Sequence, residues 1–227
     1  MKKLLLDSAD PQEISFWVQS GAIHGVTTNP ALMAKTWPDI TSWSVYLERL
    51  AVITDRLKFT NRKLHLSAEV VSNRPDEMIS QARDIDSIFG SKPDFDLFVK
   101  IPVTPVNLSV IAQLHDRRIK VNATAVMKYP QAIIAAAAGA DIVSFFYNRI
   151  SDGEGYPGAE IALFAGFTER KAKIICGSIR REVDVLDSWS SGADYVTASD
   201  KVIRQMLAHQ QTDLAIRQFD EAVSSWR

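Results

Sequence analysis

A lone lysine interrupts an apolar run in the segment Asp96-Leu97-Phe98-Val99-Lys100-Ile101-Pro102-Val103-Thr104. A short run that is rich in branched and aromatic residues is typical of a strand buried on both faces. Proline cannot donate a hydrogen bond inside a sheet, so Pro102 predicts that this strand ends near Lys100. The lysine is therefore expected at the carboxyl end of a buried strand.

A lysine at such a position has two interpretations. An unpaired ammonium group is costly to bury, and desolvation favours the neutral amine, which is the nucleophile that forms Schiff bases with carbonyl substrates. Alternatively, the stem of Lys100 packs against the sheet while its ammonium group reaches water. This segment alone leaves both interpretations open.

Length and composition restrict the class of protein. The chain has 227 residues, which fits one large domain or two small ones, and 46% of them are hydrophobic, as in a globular protein. The net charge of -1 favours neither nucleic acid nor an anionic membrane as a partner. No apolar run approaches the roughly 20 residues of a membrane span. The one cysteine, Cys176, excludes an internal disulfide bond and is expected in the core.

The amino terminus carries a short apolar run that stops at Asp7, too soon for the apolar region of a signal peptide. Together with the cysteine usage, this predicts a cytoplasmic protein.

Short apolar runs alternate with longer amphipathic segments along the chain. The runs predict strands at 4–6, 23–26, 64–70, 96–101, 120–125, 141–147, 172–176 and 194–197. The amphipathic segments predict helices at 11–20, 38–55, 75–89, 105–118, 129–138, 159–167, 181–190, 200–209 and 213–226. Three glycines and a proline predict a flexible loop at 151–158.

Alternating strands and helices indicate a parallel sheet. Eight such units in 227 residues predict one closed (β/α)₈ TIM barrel with an extra carboxyl-terminal helix, a single domain over residues 1–227. The alternative is an open doubly wound sheet, which usually has a first turn of the form G-x-G-x-x-G. The sequence contains no such turn.

Polar residues collect where the predicted strands end, which is where the chemistry of such a barrel takes place. They are Asp7, Thr27, Thr28, Asn29, Glu69, Lys100, Asn122, Thr124, Ser144, Arg149, Ser178 and Arg180. Taken singly, each is more often a cap, a turn residue or a solvated charge. Taken together, they predict that Lys100 attacks a ketone while Asp7 and Glu69 transfer protons at the same mouth.

An anion site is predicted beside this lysine. Arg149 follows strand six, and Ser178 and Arg180 begin the loop after strand seven. Two arginines with a hydroxyl group and helix N-terminal amides suit a phosphate, and loops after the late strands often bind one in this fold. The histidines have no metal-ligand spacing, and the chain has no Walker loop and no basic stripe with interleaved aromatics.

These strand ends resemble those of the transaldolase family, in particular its small single-domain branch, over nearly the whole chain. The matching segments are Leu6-Asp7, Gly25-Val26-Thr27-Thr28-Asn29-Pro30, Ser67-Ala68-Glu69-Val70, Val99-Lys100-Ile101-Pro102-Val103-Thr104, Asn122-Ala123-Thr124, Asn148-Arg149-Ile150, Gly177-Ser178-Ile179-Arg180 and Thr212-Asp213-Leu214.

The resemblance implies a class I mechanism with no metal and no other cofactor. Lys100 would form the Schiff base, Asp7 would be the acid and base at the bond that breaks, and Glu69 would activate or hold the catalytic water. Thr124 would orient that water. The implied substrate-binding residues are Asn29 and Asn122 for the dihydroxyacetone unit, Arg149, Ser178 and Arg180 for the phosphate, and Thr27, Ser144 and Phe146 beside them.

The reaction so implied moves a dihydroxyacetone unit from a ketose phosphate to an aldose phosphate. A second branch of the family releases free dihydroxyacetone and typically has glutamine at position 69 and tyrosine at position 146, where this chain has Glu69 and Phe146. Two further interpretations stay open, namely a sulfonated ketose as the donor and a binding barrel without turnover. Members of the small branch assemble as pentamers or decamers, so a homo-oligomer is expected, with sugar phosphates as the small-molecule partners.

Overall fold

The computed structural model of the chain describes residues 2–58, 60–167 and 171–226. Its parallel strands form a closed barrel in chain order, and the last strand pairs with the first. The strands are β1 Lys3–Asp7, β2 Gly25–Thr27, β3 Leu64–Glu69, β4 Phe95–Pro102, β5 Val121–Val126, β6 Ile142–Phe146, β7 Lys173–Gly177 and β8 Tyr195–Ala198. The predicted (β/α)₈ barrel is confirmed.

Helices cover the outside of the barrel, and one more helix follows the last unit, as predicted. They are α1 Pro11–Ser20, α2 Pro30–Thr36, α3 Trp43–Arg56, α4 Pro75–Phe89, α5 Leu108–Asp116, α6 Tyr129–Ala137, α7 Tyr147–Asp152, α8 Pro157–Ala165, α9 Glu182–Ser190, α10 Asp200–Leu207 and α11 Gln210–Val223. None of the helices in the described ranges has the length and apolar character that a membrane span needs.

Local signals explain where α1 begins and ends. The side chain of Asp10 accepts a hydrogen bond from the backbone N–H of Gln12, and Pro11 occupies the first turn. Gly21 has φ 72°, a left-handed conformation that glycine adopts without steric strain, and closes the helix. The predicted range 11–20 is therefore confirmed.

The predicted helix at 38–55 is only partly correct. The structure has one helix in this range, α3, which begins after Ser42, whose side chain caps it, and a separate helix, α2, before the range. The unpredicted α2 starts with Asn29 as the cap and Pro30 in the first turn, the same combination that starts α1. Interpreting these two residues only as a strand end concealed the helix.

Half of the predicted loop at 151–158 is helical. β6 passes directly into α7, so Arg149 lies on a helix rather than on a loop, and only residues 153–156 separate α7 from α8. Pro157 starts α8 because proline is tolerated in a first turn, where its missing N–H has no partner to lose. The composition of the segment reflects two helix ends in close succession.

β4 continues two residues beyond Lys100, to Pro102, so the proline lies inside the strand instead of ending it at the lysine. The backbone N–H of Val103 donates to the carbonyl of Thr124 on β5 at 2.9 Å. Since the N–H groups of a strand point alternately to its two neighbours, the nitrogen of Pro102 faces β3, which ends at Glu69. The proline therefore withholds no hydrogen bond from the sheet.

Two apolar clusters form the core. The larger one lies between the barrel and its helices and contains Cys176, whose burial raises the pKa of its thiol to about 12. The smaller one combines Leu5, Ile142, Ile175 and Tyr195 from four strands. Because these residues alternate with outward-facing ones along their strands, the smaller cluster fills the barrel interior and supports the polar residues at its mouth.

Candidate active site

A cavity of about 330 Å³ opens at the carboxyl ends of the strands. Every predicted site residue lines it except Glu69 and Arg180: Asp7, Thr27, Asn29, Lys100, Asn122, Thr124, Ser144, Phe146, Arg149 and Ser178. Residues that the sequence did not indicate also line it: Ala31, Leu32, Lys35, Ile175, Gly177 and Thr197. Side chains from most of the strands therefore converge on one cavity, as their places at the strand ends predicted.

Lys100 is buried at the bottom of this cavity. Its Nζ lies 2.9 Å from Oε2 of Glu69 and donates to the backbone carbonyl of Thr28 at 2.8 Å. Lys100 and Glu69 are direct partners in the register of β4 and β3, so both side chains leave the sheet on the same face. With a side-chain exposure of 7%, the ammonium group does not extend into water, which argues against the second of the two interpretations.

Glu69 sits behind the lysine rather than on the cavity wall. The hydroxyl of Tyr46 donates to the backbone carbonyl of Glu69 at 2.7 Å. Tyr46 is fully buried on α3, and burial raises the pKa of its hydroxyl, so it remains a donor at any physiological pH. The end of β3 is thereby fixed to a helix outside the barrel.

Asp7 belongs to a short chain of hydroxyl groups. Oγ1 of Thr27 donates to the Asp7 carboxyl at 2.8 Å and lies 2.6 Å from Oγ1 of Thr197. Because Thr27 has one hydroxyl proton and gives it to Asp7, Thr197 is the donor in the second bond. Burial raises the pKa of Asp7, although Lys100 and the bond from Thr27 lower it; Glu69 adds to the rise. Asp7 thus holds a proton more readily than a free aspartate.

The carboxamide of Asn122 has a fixed orientation. Ser144 donates to its Oδ1 at 2.7 Å, and its Nδ2 donates to Oγ of Ser67 at 3.0 Å. Ser67 in turn lies 2.7 Å from Nε2 of His65, whose pKa burial lowers to about 3. His65 is therefore neutral, and the tautomer of its ring decides which of the two side chains donates this hydrogen bond. All four side chains are buried.

The sequence contained a signal for the two members of this hydrogen-bonded group that were not predicted. His65 and Ser67 alternate with apolar residues on β3 and share the face of Glu69. Polar residues at every second position of a strand that is otherwise buried indicate a polar barrel interior. The prediction considered only strand ends and therefore missed them.

Thr124 has a free hydroxyl group that faces the cavity. Its Oγ1 is buried and has no hydrogen-bond partner in the described ranges. The next residue, Ala125, has φ 59°, and the pairing of β5 with β6 shifts at this point. Such bulges and left-handed residues concentrate at functional sites, where they redirect side chains at a cost of about 1–3 kcal/mol.

The predicted anion-binding residues are divided between two places. Ser178 has φ 57°, and its carbonyl accepts hydrogen bonds from the backbone N–H and from Nδ2 of Asn148, at 3.2 and 3.0 Å. Arg149 is exposed and lies over the ring of Phe146, with 5.9 Å from Cζ to the ring centre. These residues line the cavity, whereas the side chain of Arg180 does not.

Lys35 is a further cation at the cavity mouth. It lies near the carboxyl end of α2 and is exposed. Lys35 was not predicted as a site residue because α2 itself was not predicted. β2 and β6 lie opposite each other in the barrel order, so Lys35 and Arg149 approach the cavity from opposite sides.

Comparison with known proteins gives one consistent result. A family model described as "Transaldolase/Fructose-6-phosphate aldolase" matches residues 4–227. A "Probable transaldolase" of Caldicellulosiruptor saccharolyticus is 35% identical over 222 residues, which covers 96% of this chain and 94% of the relative. A "Probable transaldolase" of Clostridium tetani is 33% identical over 228 residues, covering 98% of each chain. One of Clostridium botulinum strain Loch Maree is 34% identical, covering 96% of this chain and 94% of the relative.

Proposed function

This chain belongs to the transaldolase/fructose-6-phosphate aldolase family, and we propose that it is a class I transaldolase. It moves a dihydroxyacetone unit from a ketose phosphate, such as sedoheptulose 7-phosphate or fructose 6-phosphate, to an aldose phosphate. The observation that carries this proposal is the buried contact of 2.9 Å between Lys100 and Glu69 at the bottom of the cavity.

The contact supports formation of the Schiff base. Glu69 accepts a proton from the ammonium group of Lys100, and the neutral amine attacks the ketone carbon of the sugar. The carbonyl oxygen takes one proton from the nitrogen and the other back from Glu69, leaves as water, and an iminium ion remains. The carbonyl of Thr28 accepts a hydrogen bond from Lys100 and keeps the nitrogen in place during these steps.

Asp7 supplies the second half of the chemistry. Its carboxylate removes the proton of the hydroxyl group next to the scissile bond, the carbon–carbon bond breaks, and its electrons move to the iminium carbon and nitrogen. The aldose leaves and an enamine stays on Lys100. An acceptor aldehyde then forms the new bond, Asp7 returns its proton, and water hydrolyses the Schiff base. The raised pKa of Asp7 suits a group that must take up a proton and give it back.

The polar residues around Lys100 suit the dihydroxyacetone unit. Asn122 has one N–H and one lone pair free after its bonds to Ser67 and Ser144. Asn29 uses its Oδ1 to cap α2, so its Nδ2 is left for a sugar hydroxyl. Ser178 and Arg149 are near enough to the cavity for the phosphate, and Thr124 offers its free hydroxyl to water.

Phe146 favours transfer of the dihydroxyacetone unit over its release as free dihydroxyacetone. This side chain lines the cavity and cannot hydrogen-bond a water molecule, so the enamine is expected to persist until an aldehyde arrives. An aldolase that releases dihydroxyacetone is the alternative, and a sulfonated ketose is a second candidate donor. Cytoplasmic location and assembly as a homo-oligomer belong to the same proposal.

Trapping with borohydride tests the proposal. Reduction in the presence of fructose 6-phosphate should add the mass of the reduced sugar adduct to the peptide that contains Lys100. Lys100→Ala should abolish the adduct and lower the transfer rate by roughly 10³-fold or more. Lys58→Ala, which changes an exposed lysine paired with Asp55, serves as the control and should keep both. An adduct on another lysine, or an unchanged rate in Lys100→Ala, would contradict the assignment.

A further inference from the structure

The guanidinium group of Arg180 is already occupied in the absence of substrate. Its Nη1 donates to Oδ1 of Asp152 at 2.8 Å, and its Nη2 donates to Oδ2 of the same carboxylate. A phosphate or sulfonate group binds arginine through this same two-point geometry. An anionic sugar group that bound Arg180 in this way would therefore need the same two nitrogen atoms as Asp152.

Asp152 also changes the charge of the anion site. It is the last residue of α7, the helix that carries Arg149. The positive charges of Arg180 and Arg149 both stabilise its ionised form. The hydrogen bonds from Arg180 lower the pKa of Asp152, so its carboxylate is ionised at neutral pH. The two arginines and this carboxylate together carry a net charge of about +1, one unit less than the arginines alone.

The ion pair can exchange without movement of the backbone. The N–H of Arg180 is held by Oδ2 of Asp184 at 3.3 Å, and Asn148 fastens α7 to the carbonyl of Ser178 at 3.0 Å. The side chains of Arg180 and Asp152 are themselves 55% and 53% exposed. Exposed ion pairs are weak, so rotation of the arginine side chain is sufficient to exchange the carboxylate for a substrate anion.

We propose that Asp152 sets the affinity of the site for the anionic end of the sugar by competing with it for Arg180. Asp152 is in this sense a specificity-determining residue, since it weakens anionic ligands and leaves neutral ones unaffected. The inference rests on the proposed function and adds one assignment to it, because Arg180, once released from Asp152, would join Arg149 and Ser178 at the substrate anion.

The test uses Asp152→Asn, which keeps the shape of the side chain and removes its charge. The dissociation constant of inorganic phosphate, measured by titration calorimetry on the full chain, should fall by about two- to fivefold, the equivalent of one exposed ion pair. The KM for fructose 6-phosphate should fall by the same factor, whereas the KM for unphosphorylated fructose should not change. The affinity for methanesulfonate, a monoanion, should rise less than the affinity for phosphate, and this difference distinguishes the two kinds of anion.

Two further variants make the result specific. In an Arg180→Ala background, Asp152→Asn should not raise the affinity for phosphate, because the residue that the two anions compete for is absent. Asp55→Asn removes the same charge from the exposed pair with Lys58 and should leave phosphate binding unchanged. Weaker or unchanged phosphate binding in Asp152→Asn would overturn the proposal, since it would mean that Asp152 positions Arg180 or is inert. A gain that persists without Arg180 would overturn it as well.

Failure of the proposed function would be visible separately. Phosphate binding is measured without turnover, whereas the Schiff base is tested by trapping at Lys100. A protein that shows the predicted phosphate competition but no adduct would contradict the transaldolase chemistry alone. A protein that forms the adduct but shows no competition would contradict only the role of Asp152.

Discussion

Lys100 has two hydrogen-bond acceptors that differ in kind. The carboxylate of Glu69 can take up a proton, whereas the backbone carbonyl of Thr28 can only accept a hydrogen bond. If Glu69 removes a proton from the ammonium group, the amine still has an N–H for Thr28 and remains in position. At the scale of single residues, Thr28 would therefore orient the nitrogen, and Glu69 would exchange the proton with it.

The first prediction concerns the pH dependence of Asp7. Burial raises its pKa, so the folded protein binds this proton more tightly than the unfolded chain, whose value is about 3.9. The resulting stabilisation is present below that value and is lost as the pH rises through the folded pKa. Asp7→Asn, which has no such proton, should therefore melt at a higher temperature than wild type at pH 7, and the difference should shrink towards pH 4.

Thermal melts at a series of pH values would measure this difference, with Asp55→Asn as the control for loss of an exposed carboxylate. The same Asp7→Asn variant should lower the transfer rate by about 10²–10⁴-fold, the usual contribution of a general acid or base. A melting difference that is constant between pH 4 and pH 7 would contradict the shifted pKa.

The second prediction concerns Phe146, which lines the cavity at the end of β6. Phe146→Tyr would introduce a hydroxyl group that can hold water near the enamine, so the release of free dihydroxyacetone should rise relative to transfer. Phe146→Leu introduces no hydroxyl and should not raise it. The assay measures free dihydroxyacetone with and without acceptor aldehyde. An unchanged ratio in Phe146→Tyr, or release as fast as transfer in wild type, would argue against a transferase.

At the scale of elements, one carboxylate joins the segment after β6 to the segment after β7. Asp184, in the first turn of α9, is buried and accepts hydrogen bonds from Nδ2 of Asn148 at 2.8 Å and from the N–H of Arg181 at 3.0 Å. Although burial raises the pKa of Asp184, the hydrogen bond from Asn148 and those from Arg181 lower it overall. The loop that contains Ser178 is therefore held from two sides.

The third prediction follows from this arrangement. Asp184→Ala should lower the free energy of unfolding by about 1.5–3 kcal/mol, the value of one hydrogen bond to a charged group. The loss is not larger because water can replace part of the other hydrogen bonds that Asp184 accepts. It should also raise the KM for phosphorylated donors more than that for dihydroxyacetone, because the displaced loop carries Ser178 and Arg180. Urea denaturation and steady-state kinetics would measure both effects. Glu182→Ala, an exposed change in the same helical turn, should have little effect on either.

At the scale of the whole molecule, α11 takes no part in the core. The barrel closes through the pairing of β1 with β8, and α11 has no buried residue. Its apolar residues Leu214, Ile216 and Phe219 are 40%, 52% and 67% exposed. Ile216 and Phe219 are three positions apart and share one face of the helix. An exposed apolar patch of this kind marks an interaction surface, and we expect it to contact another copy of the chain.

The fourth prediction is that the protein is not a monomer of 25.3 kDa. Light scattering at micromolar concentration should give a multiple of that mass. Phe219→Asp should shift the mass towards the monomer, because a charge in an apolar interface is costly to desolvate. Gln218→Asp changes the neighbouring exposed residue and should leave the mass unchanged. A monomeric wild-type protein would contradict the predicted homo-oligomer.

The sequence by itself determined the order of the strands and most of the residues that lie near Lys100. Strand and helix periodicity reflects which side of each element is buried, and the carboxyl ends of parallel strands must meet at one mouth. For this reason the barrel, the place of Lys100 beside Glu69 and most of the cavity lining could be predicted. The errors lay at element ends, as in α2, where capping residues were interpreted only as turn residues.

Only the tertiary structure decided which partner each of these side chains has. Thr197 reaches Thr27 because closure of the barrel brings β8 beside β1. Arg180 binds Asp152 instead of lining the cavity, although Arg149 and Arg180 were predicted to have the same role. Hydrogen bonds and ion pairs depend on distances of a few ångströms between segments far apart in the chain, and local periodicity carries no information about those distances.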